Sequence, residues 1–541
     1  MAERSPDDLP NVKDGLQASG DKRVRKKASR PKARTGCFTC RIKCDESKPA
    51  CKRCLKYGTT CAYPPPAGQK ASHQEPLSIA PLKSQSSTSP LPSILKTRYK
   101  NEREYRCFQL FRERTMLDLV GSDDSNVWSK TVLQACEHED AFRHAVIAIG
   151  GLDRALEISQ ASGKQCPVGR TSIDDESLAN HYHFALQQYD DFIVQMRRRL
   201  PESSHDLRRA LISCMLVVCV ELYQGNQCVA LTHASTGLNM IKSTLGELGT
   251  MENSWGIETD LIRMFLRLDQ ISLASALPSL TRTYVNMETH FHGMVDDNIP
   301  AEFTSCKEAR SFWMVTVRRI SRATIVPRTQ KSPNDERLYP DASVGYLRQW
   351  SGAFQPLLNA SREESGKTFR SKAAFLQLRH NTTLLALVGS HSDSELVYDN
   401  FVSLFQETLC LARDVLDEPH GGLSGRRPIF TFDIGVISSL WAVATRCRDS
   451  DMRWTAVSLL LQHPRREGVW DSAMIAAFAS VLIRIEETGL ENGSIPESAR
   501  IQGESFSFDL VQKKGQLIYS RLPEGSKLGS KRAVEAVDVS W

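Results

Sequence analysis

From Tyr99 onward, apolar positions recur at roughly helical spacing. Between Glu102 and Val120 the residues Tyr105, Phe108, Leu110, Phe111, Met116 and Leu119 fall largely on one face of a helix, and between Glu139 and Leu156 so do Phe142, Ala145, Val146, Ile149 and Leu152. His181 to Leu200 gathers Tyr182, Ala185, Tyr189, Phe192, Ile193 and Met196 in the same way. Ala210 to Val220 is apolar almost throughout, which predicts a helix covered on all sides. Further helices are predicted over Val229 to Leu245, Ile257 to Leu273, Ala301 to Ala323, Lys372 to Leu387, Asn400 to Leu416, Gly435 to Arg446, Asp451 to Gln462 and Ser472 to Glu487. Alternating Val, Ile and Thr runs bounded by turns are nearly absent, so residues 99–520 are expected to form an all-α regulatory or effector domain of packed helices. No fixed-period repeat is present.

The pattern fails at both ends. Residues 1–20 carry Pro6, Asp7, Asp8, Pro10 and Gly15 with few apolar side chains, too little to bury, and are expected to be disordered. Residues 62–98 contain Pro64, Pro65, Pro66, Pro76, Pro81, Pro90, Pro92 and seven serines, the composition of an extended linker with no heptad pattern. Residues 521–541 read as a polar tail, in which Gly525 to Lys531 is closer to a flexible linker than to a phosphate loop.

Hydrophobic residues make up 41% of the 541 positions, enough for a large core. The longest apolar runs, Ala210 to Val220 and Ala473 to Ile483, are eleven residues each. A membrane span needs about twenty, so no membrane partner is expected. No apolar leader follows Met1, so the chain is expected in reducing compartments, with its nine scattered cysteines, Cys214 and Cys219 among them, as buried thiols.

Charge is distributed unevenly. The whole chain is net +6, yet Asp21 to Lys56 alone holds fourteen Lys or Arg against three acidic residues. The rest is therefore net negative, and the basic footprint is that of a phosphate-binding module on an acidic body. Residues 21–36 form a basic arm in which Lys22-Arg23-Val24-Arg25-Lys26-Lys27 reads as a nuclear import signal.

Six of the fifteen cysteines lie between Cys37 and Cys61, spaced C-x2-C-x3-C-x6-C-x2-C-x6-C. Two C-x2-C pairs at this spacing suit thiolate coordination of zinc. Arg41, Lys43, Lys48, Lys52, Arg53 and Lys56 are placed to offset the surplus negative charge of such a cluster.

Thr35-Gly36, Cys37-Phe38-Thr39-Cys40-Arg41, Lys43-Cys44-Asp45-Glu46, Pro49 and Cys51-Lys52-Arg53-Cys54 resemble the fungal six-cysteine binuclear zinc cluster transcription factors. The resemblance implies two zinc ions held by Cys37, Cys40, Cys44, Cys51, Cys54 and Cys61, with Cys37 and Cys51 bridging both. It also implies DNA contacts from Arg34, Arg41, Lys43, Lys52, Arg53 and Lys56. This chain departs from the pattern in having three residues between Cys40 and Cys44 where the family usually has six, and one ion is the alternative stoichiometry. Losing three helical residues removes about 4.5 Å of rise and roughly 300° of rotation from the segment that reads bases in the family. Cys40 and Cys44 would still share a helix face. More loosely, Arg143 to Gly150, and Cys447-Arg448-Asp449 through Pro464 to Ser472, resemble segments of the family's regulatory domain, with Trp470 and its neighbours as packing or helix-turn positions.

Catalytic motifs are lacking. No G-x-S-x-G, H-E-x-x-H or Walker loop occurs, and His290-Phe291-His292 is a lone pair of imidazoles in a polar stretch. The expected fold is a small zinc-stabilised N-terminal module, residues 37–61, plus a mostly all-α C-terminal helical domain, joined by a disordered Pro/Ser-rich linker. The expected function is non-enzymatic: a nuclear, zinc-dependent regulator that binds CGG-type DNA sites and regulates RNA polymerase II transcription. Its expected partners are DNA, the transcription machinery and a second copy of the chain through the C-terminal domain. The alternative is a helical protein-interaction co-regulator whose shortened cluster has lost specific DNA reading.

Overall fold

The computed structural model describes residues 45–62, 98–121, 126–162, 176–199, 206–248, 259–274, 298–325, 340–390, 392, 394–417, 427–491, 493–523 and 530–541. The expectations for residues 1–20 and 21–36, for nearly all of 62–98, and for His290 and His292 lie outside them. The chain divides into two compact units, Met1–Thr88 and Ser89–Trp541. The first contributes one short helix, α1 (Lys52–Lys56).

The second unit is mostly helical, as the periodicity predicts. Its helices run α2 (Glu102–Leu110), α3 (Met116–Val120), α4 (Leu133–His138), α5 (Asp140–Ser162), α6 (Glu176–Arg199), α7 (Leu207–Gln224), α8 (Gln227–Leu248) and α9 (Thr259–Ala274). After these come α10 (Cys306–Ile325), α11 (Pro340–Arg362), α12 (Arg370–Ser390), α13 (Val402–Leu416), α14 (Val436–Arg446), α15 (Ser450–Gln462) and α16 (Ser472–Glu487). Polar side chains cap several starts. Asn101 accepts from Glu104 N, Asp206 from Arg209 N, and Asp449 from Met452 N, each satisfying an amide that the helix itself leaves open. Helix α7 is buried along most of its length, as expected for an apolar run. At Gly150 the backbones of α2 and α5 meet: a Cβ there would sit 2.2 Å from the Cys107 carbonyl oxygen, so only glycine fits the contact.

Helix α11 is not among the predicted elements. Gly345, Gly352 and Pro356 interrupt its periodicity, yet Leu347, Trp350, Phe354 and Leu358 are buried on one face. Packing overrides weak propensity there. These residues join Phe303, Trp313 and Leu376 in a second hydrophobic cluster separate from the main core.

The described residues hold more strand than the sequence pattern predicts. A small sheet pairs β1 (Ile429–Thr431) parallel with β2 (Arg465–Glu467), which runs antiparallel to β3 (Trp470–Asp471). A second, antiparallel sheet holds β4 (Gln502–Asp509), β5 (Lys514–Arg521) and β6 (Ala533–Ser540), with β5 central. The stretch read as a polar tail therefore contains a strand: Arg521 pairs with Ala533 and Lys514 with Ser540. The physical reason is alternation disguised by charge. Val537 and Val539 are interleaved with Asp538, and in β4 Phe506 and Phe508 are interleaved with serines. Phe506 stacks on Phe478 of α16 with centroids 5.1 Å apart, and Trp541 packs on the same ring at 6.0 Å.

Buried ion pairs tie this sheet region to the helices. Arg453 of α15 and Glu486 of α16, both fully buried, approach to 2.6 Å. Arg453 Nε also donates to Ala444 O, and Glu486 accepts from Ile501 N. Every oxygen of such a carboxylate needs a donor, because a buried charge left alone costs several kcal/mol.

Candidate metal centre

Cys51 sits at the N-cap of α1, in extended backbone conformation, and its Sγ accepts from Cys54 N at 3.4 Å. Cys51 N in turn donates to Cys61 Sγ at 3.4 Å. The helix turn closes through Leu55 N to Cys51 O, and Thr59 N donates to Cys54 O, which returns the chain toward Cys61. These bonds gather three sulfurs, from Cys51, Cys54 and Cys61, within 4.8 Å of one another. Cys51 and Cys54 are buried and Cys61 is half-buried.

The donor set fits zinc. Four thiolates at about 2.3 Å around a tetrahedral ion lie about 3.8 Å apart, so three sulfurs within 4.8 Å need little movement to share one ion. N–H donors aimed at two of the sulfurs favour the thiolate over the thiol, the form that binds metal.

Opposite the sulfurs, α1 is cationic. Lys52, Arg53 and Lys56 are all exposed, as are the apolar Leu55 and Tyr57. Asp45 anchors the approach: its carboxylate accepts from the Ser47 hydroxyl and from Lys52 N, and the Ser47 bond holds it below the usual carboxylate range. Of the predicted ligands and DNA contacts, Cys51, Cys54, Cys61, Lys52, Arg53 and Lys56 are thus placed. Cys37, Cys40, Cys44, Arg34, Arg41 and Lys43 lie outside the described residues.

In the body the structure brings together charged groups that sequence reasoning did not single out. Arg267 of α9 and Arg310 of α10 converge on Asp433, all three buried. Arg465, Arg466 and Lys513 line one cavity. Their separation along the chain left no local signal. Next to Trp470, in the run expected to hold packing or helix-turn positions, Asp471 caps α16 by accepting from Ala473 N and Met474 N.

Residues 35–70 match the fungal Zn(2)-Cys(6) binuclear cluster domain, and residues 106–359 match the fungal specific transcription factor domain. The chain is similar to the aspercryptin biosynthesis cluster-specific transcription regulator atnN of Emericella nidulans, 23% identical over 88% of this chain and 91% of that one. It is also similar to the transcription regulator lscL of Purpureocillium lilacinum, 26% identical over 37% of this chain and 46% of that one. A third relative, the Zn(2)-C6 fungal-type transcription factor afumD of Aspergillus fumigatus, is 31% identical over 25% of this chain and 38% of its own length. No solved structure matches. No helix among the described residues is long and apolar enough to cross a membrane.

Proposed function

We propose that this chain, a transcription regulator of the fungal Zn(2)-Cys(6) type, binds CGG-type DNA sites through its zinc cluster and regulates RNA polymerase II transcription from the nucleus. The observation that carries the reading is the two-sidedness of α1. Beside it the sulfurs of Cys51, Cys54 and Cys61 are gathered, the first two buried, while Lys52, Arg53 and Lys56 stand exposed for phosphate contacts. When bound, zinc supplies a fixed centre in place of a hydrophobic core, and the basic side chains do the docking.

In this mechanism Arg34, Lys52, Arg53 and Lys56 fix the register on the phosphates, and Arg41 and Lys43 face base edges from the segment between Cys40 and Cys44. The metal shell is completed by Cys37, Cys40 and Cys44. Import rests on Lys22 to Lys27, and the helical body serves the transcription machinery. Pairing of two copies falls to the body, because residues 62–98 carry no heptad pattern.

One observation favours a second reading, a co-regulator without specific DNA reading: only Arg41, Ile42 and Lys43 separate Cys40 from Cys44. Competition binding at fixed salt, on a CGG-containing and a scrambled duplex, separates the two. Under the first reading the CGG duplex wins by roughly tenfold or more, the worth of one good base contact. Replacing Lys52, Arg53 and Lys56 with Gln weakens both duplexes alike and lowers the log–log salt slope by about 0.9 per lost phosphate contact. Equal affinity for the two duplexes sinks specific reading, and restored preference after inserting three arginines behind Arg41 assigns the loss to the missing helical turn.

A further inference from the structure

Within the second unit, the ends of α5 and α7, the small sheet and the turn between β4 and β5 enclose a cavity of about 290 Å³. That volume lies at the small end of ligand pockets. Its apolar lining includes Leu156, Tyr182, Leu510 and Trp541. Its charged lining is Arg465, Arg466, Lys513 and Asp471.

The three cations are not equally satisfied. Arg466 is braced: Nη1 donates to Leu222 O at 3.2 Å and approaches Tyr223 O at 3.4 Å, and its Nε lies 3.6 Å from the Asp471 carboxylate. Arg465 is not. Its side chain is 7% exposed, and its one polar contact among the described residues is Nε with Glu467 Oε1 at 3.0 Å, outside hydrogen-bond alignment. The terminal nitrogens of that guanidinium have no protein acceptor among the described residues and, unlike Nε, are not fully buried, so they are free to donate to oxygens that enter the cavity. Lys513 is half-buried and its ammonium has no ion-pair partner among the described residues. Its carbonyl accepts from Trp541 N at 3.2 Å, which seats the aromatic wall beside the cation.

Charge counting then selects the ligand. Arg465 is opposed by Glu467 and Arg466 by Asp471, so the surplus is the single positive charge of Lys513. A fork of guanidinium N–H groups matches a carboxylate better than any other small anion of one charge. We propose that this cavity binds a small organic acid, its carboxylate held by Arg465 and Lys513 and its apolar body laid against Leu156, Tyr182, Leu510 and Trp541. This goes beyond DNA binding and stands apart from it. Because Lys513 and Trp541 belong to the C-terminal sheet region and Arg465 to the small sheet, the ligand bridges the two and stabilises the body by mass action.

The test uses the full-length, zinc-loaded chain with 4-phenylbutyrate as probe, its neutral amide as the control, and thermal unfolding and tryptophan fluorescence as readouts. The acid raises the unfolding temperature saturably and changes the fluorescence, whereas the amide binds at least about tenfold more weakly, the worth of a charge-assisted hydrogen bond. Arg465→Met and Lys513→Gln each weaken the acid by about tenfold and leave the amide unchanged. Trp541→Phe removes the fluorescence change and keeps the thermal shift. If Arg465→Met does not fold, Lys513→Gln decides alone, since no protein group among the described residues pairs with that ammonium. The proposal is overturned if the acid gives no saturable shift up to about 10 mM, if acid and amide bind equally, or if Lys513→Gln leaves the acid's affinity unchanged. Each of these readouts is independent of DNA.

Discussion

The described part of the zinc module and the helical body solve the same problem with different interiors. Among residues 45–62 the buried side chains are Cys51 and Cys54, while Leu55 and Tyr57 are 67% and 68% exposed. In the body, Trp128, Trp313, Trp350, Phe192, Phe265 and Phe478 are fully buried. Ordering a residue's backbone costs about 1–2 kcal/mol, and two small thiols return far less than eighteen such residues require. The body can meet that cost from apolar area, and the module needs metal. Sulfur at the centre also leaves the cationic and apolar side chains of α1 outside, available to a partner.

The largest effect expected from this contrast is on zinc removal. Structural zinc contributes roughly 10–16 kcal/mol of apparent binding energy in small modules of this kind. A strong chelator should therefore unfold the module, abolish DNA binding, and leave the helical circular dichroism of the body in place. Zinc per chain by atomic absorption refines the result: two ions supports the six-cysteine shell, and one supports a centre built on Cys51, Cys54 and Cys61 with a single further ligand. Loss of the body's helical signal at the same chelator concentration would break the comparison.

Legibility in the sequence follows the same division. The gathering of Cys51, Cys54 and Cys61 was readable because their chemistry is local: they lie ten residues apart end to end, and spacing alone brings them together. Most helices were readable because periodicity is also local. What depends on distant partners was not. Asp433 meets Arg267 across 166 positions of chain, and Arg465 meets Lys513 only through the folded cavity. Strand β6 was hidden because Glu535 and Asp538 make it look like a solvated tail, although Glu535 accepts from Tyr519 and Arg521 of the neighbouring strand. Helix α11 was hidden by residues that disfavour helices and are outweighed by Trp350.

That outweighing gives the next prediction, intermediate in size. Trp350 stacks on Phe354 at 4.7 Å, meets Trp313 edge-on at 4.8 Å, and donates from Nε1 to Ala309 O at 2.9 Å. Trp350→Ala removes the ring and its Nε1 bond to that carbonyl, and should cost the body about 3–5 kcal/mol. Urea unfolding followed by circular dichroism measures the loss, with zinc content measured on the same samples. An unchanged zinc content sharpens the contrast between the two interiors, and loss of zinc along with the body would contradict it.

The smallest effect is expected from a methyl group. Gly352 lies inside α11, is exposed, and has nothing within 4 Å of the position its Cβ would take. Alanine there reduces the freedom of the unfolded chain and loses no contact in the folded one, so Gly352→Ala should stabilise the body by about 0.5–1 kcal/mol. The same change at Gly150 should do the opposite. Its added carbon would lie 2.2 Å from the Cys107 carbonyl oxygen, an atom fixed in α2, so either the two helices separate or the fold weakens. Urea midpoints for the two variants should therefore move in opposite directions from the parent, with neither altering zinc content. If Gly352→Ala destabilises, α11 is not a continuous helix at that point. If Gly150→Ala is neutral, α2 and α5 do not meet as closely as their backbones do here, and the body's interior is looser than its buried aromatic rings imply.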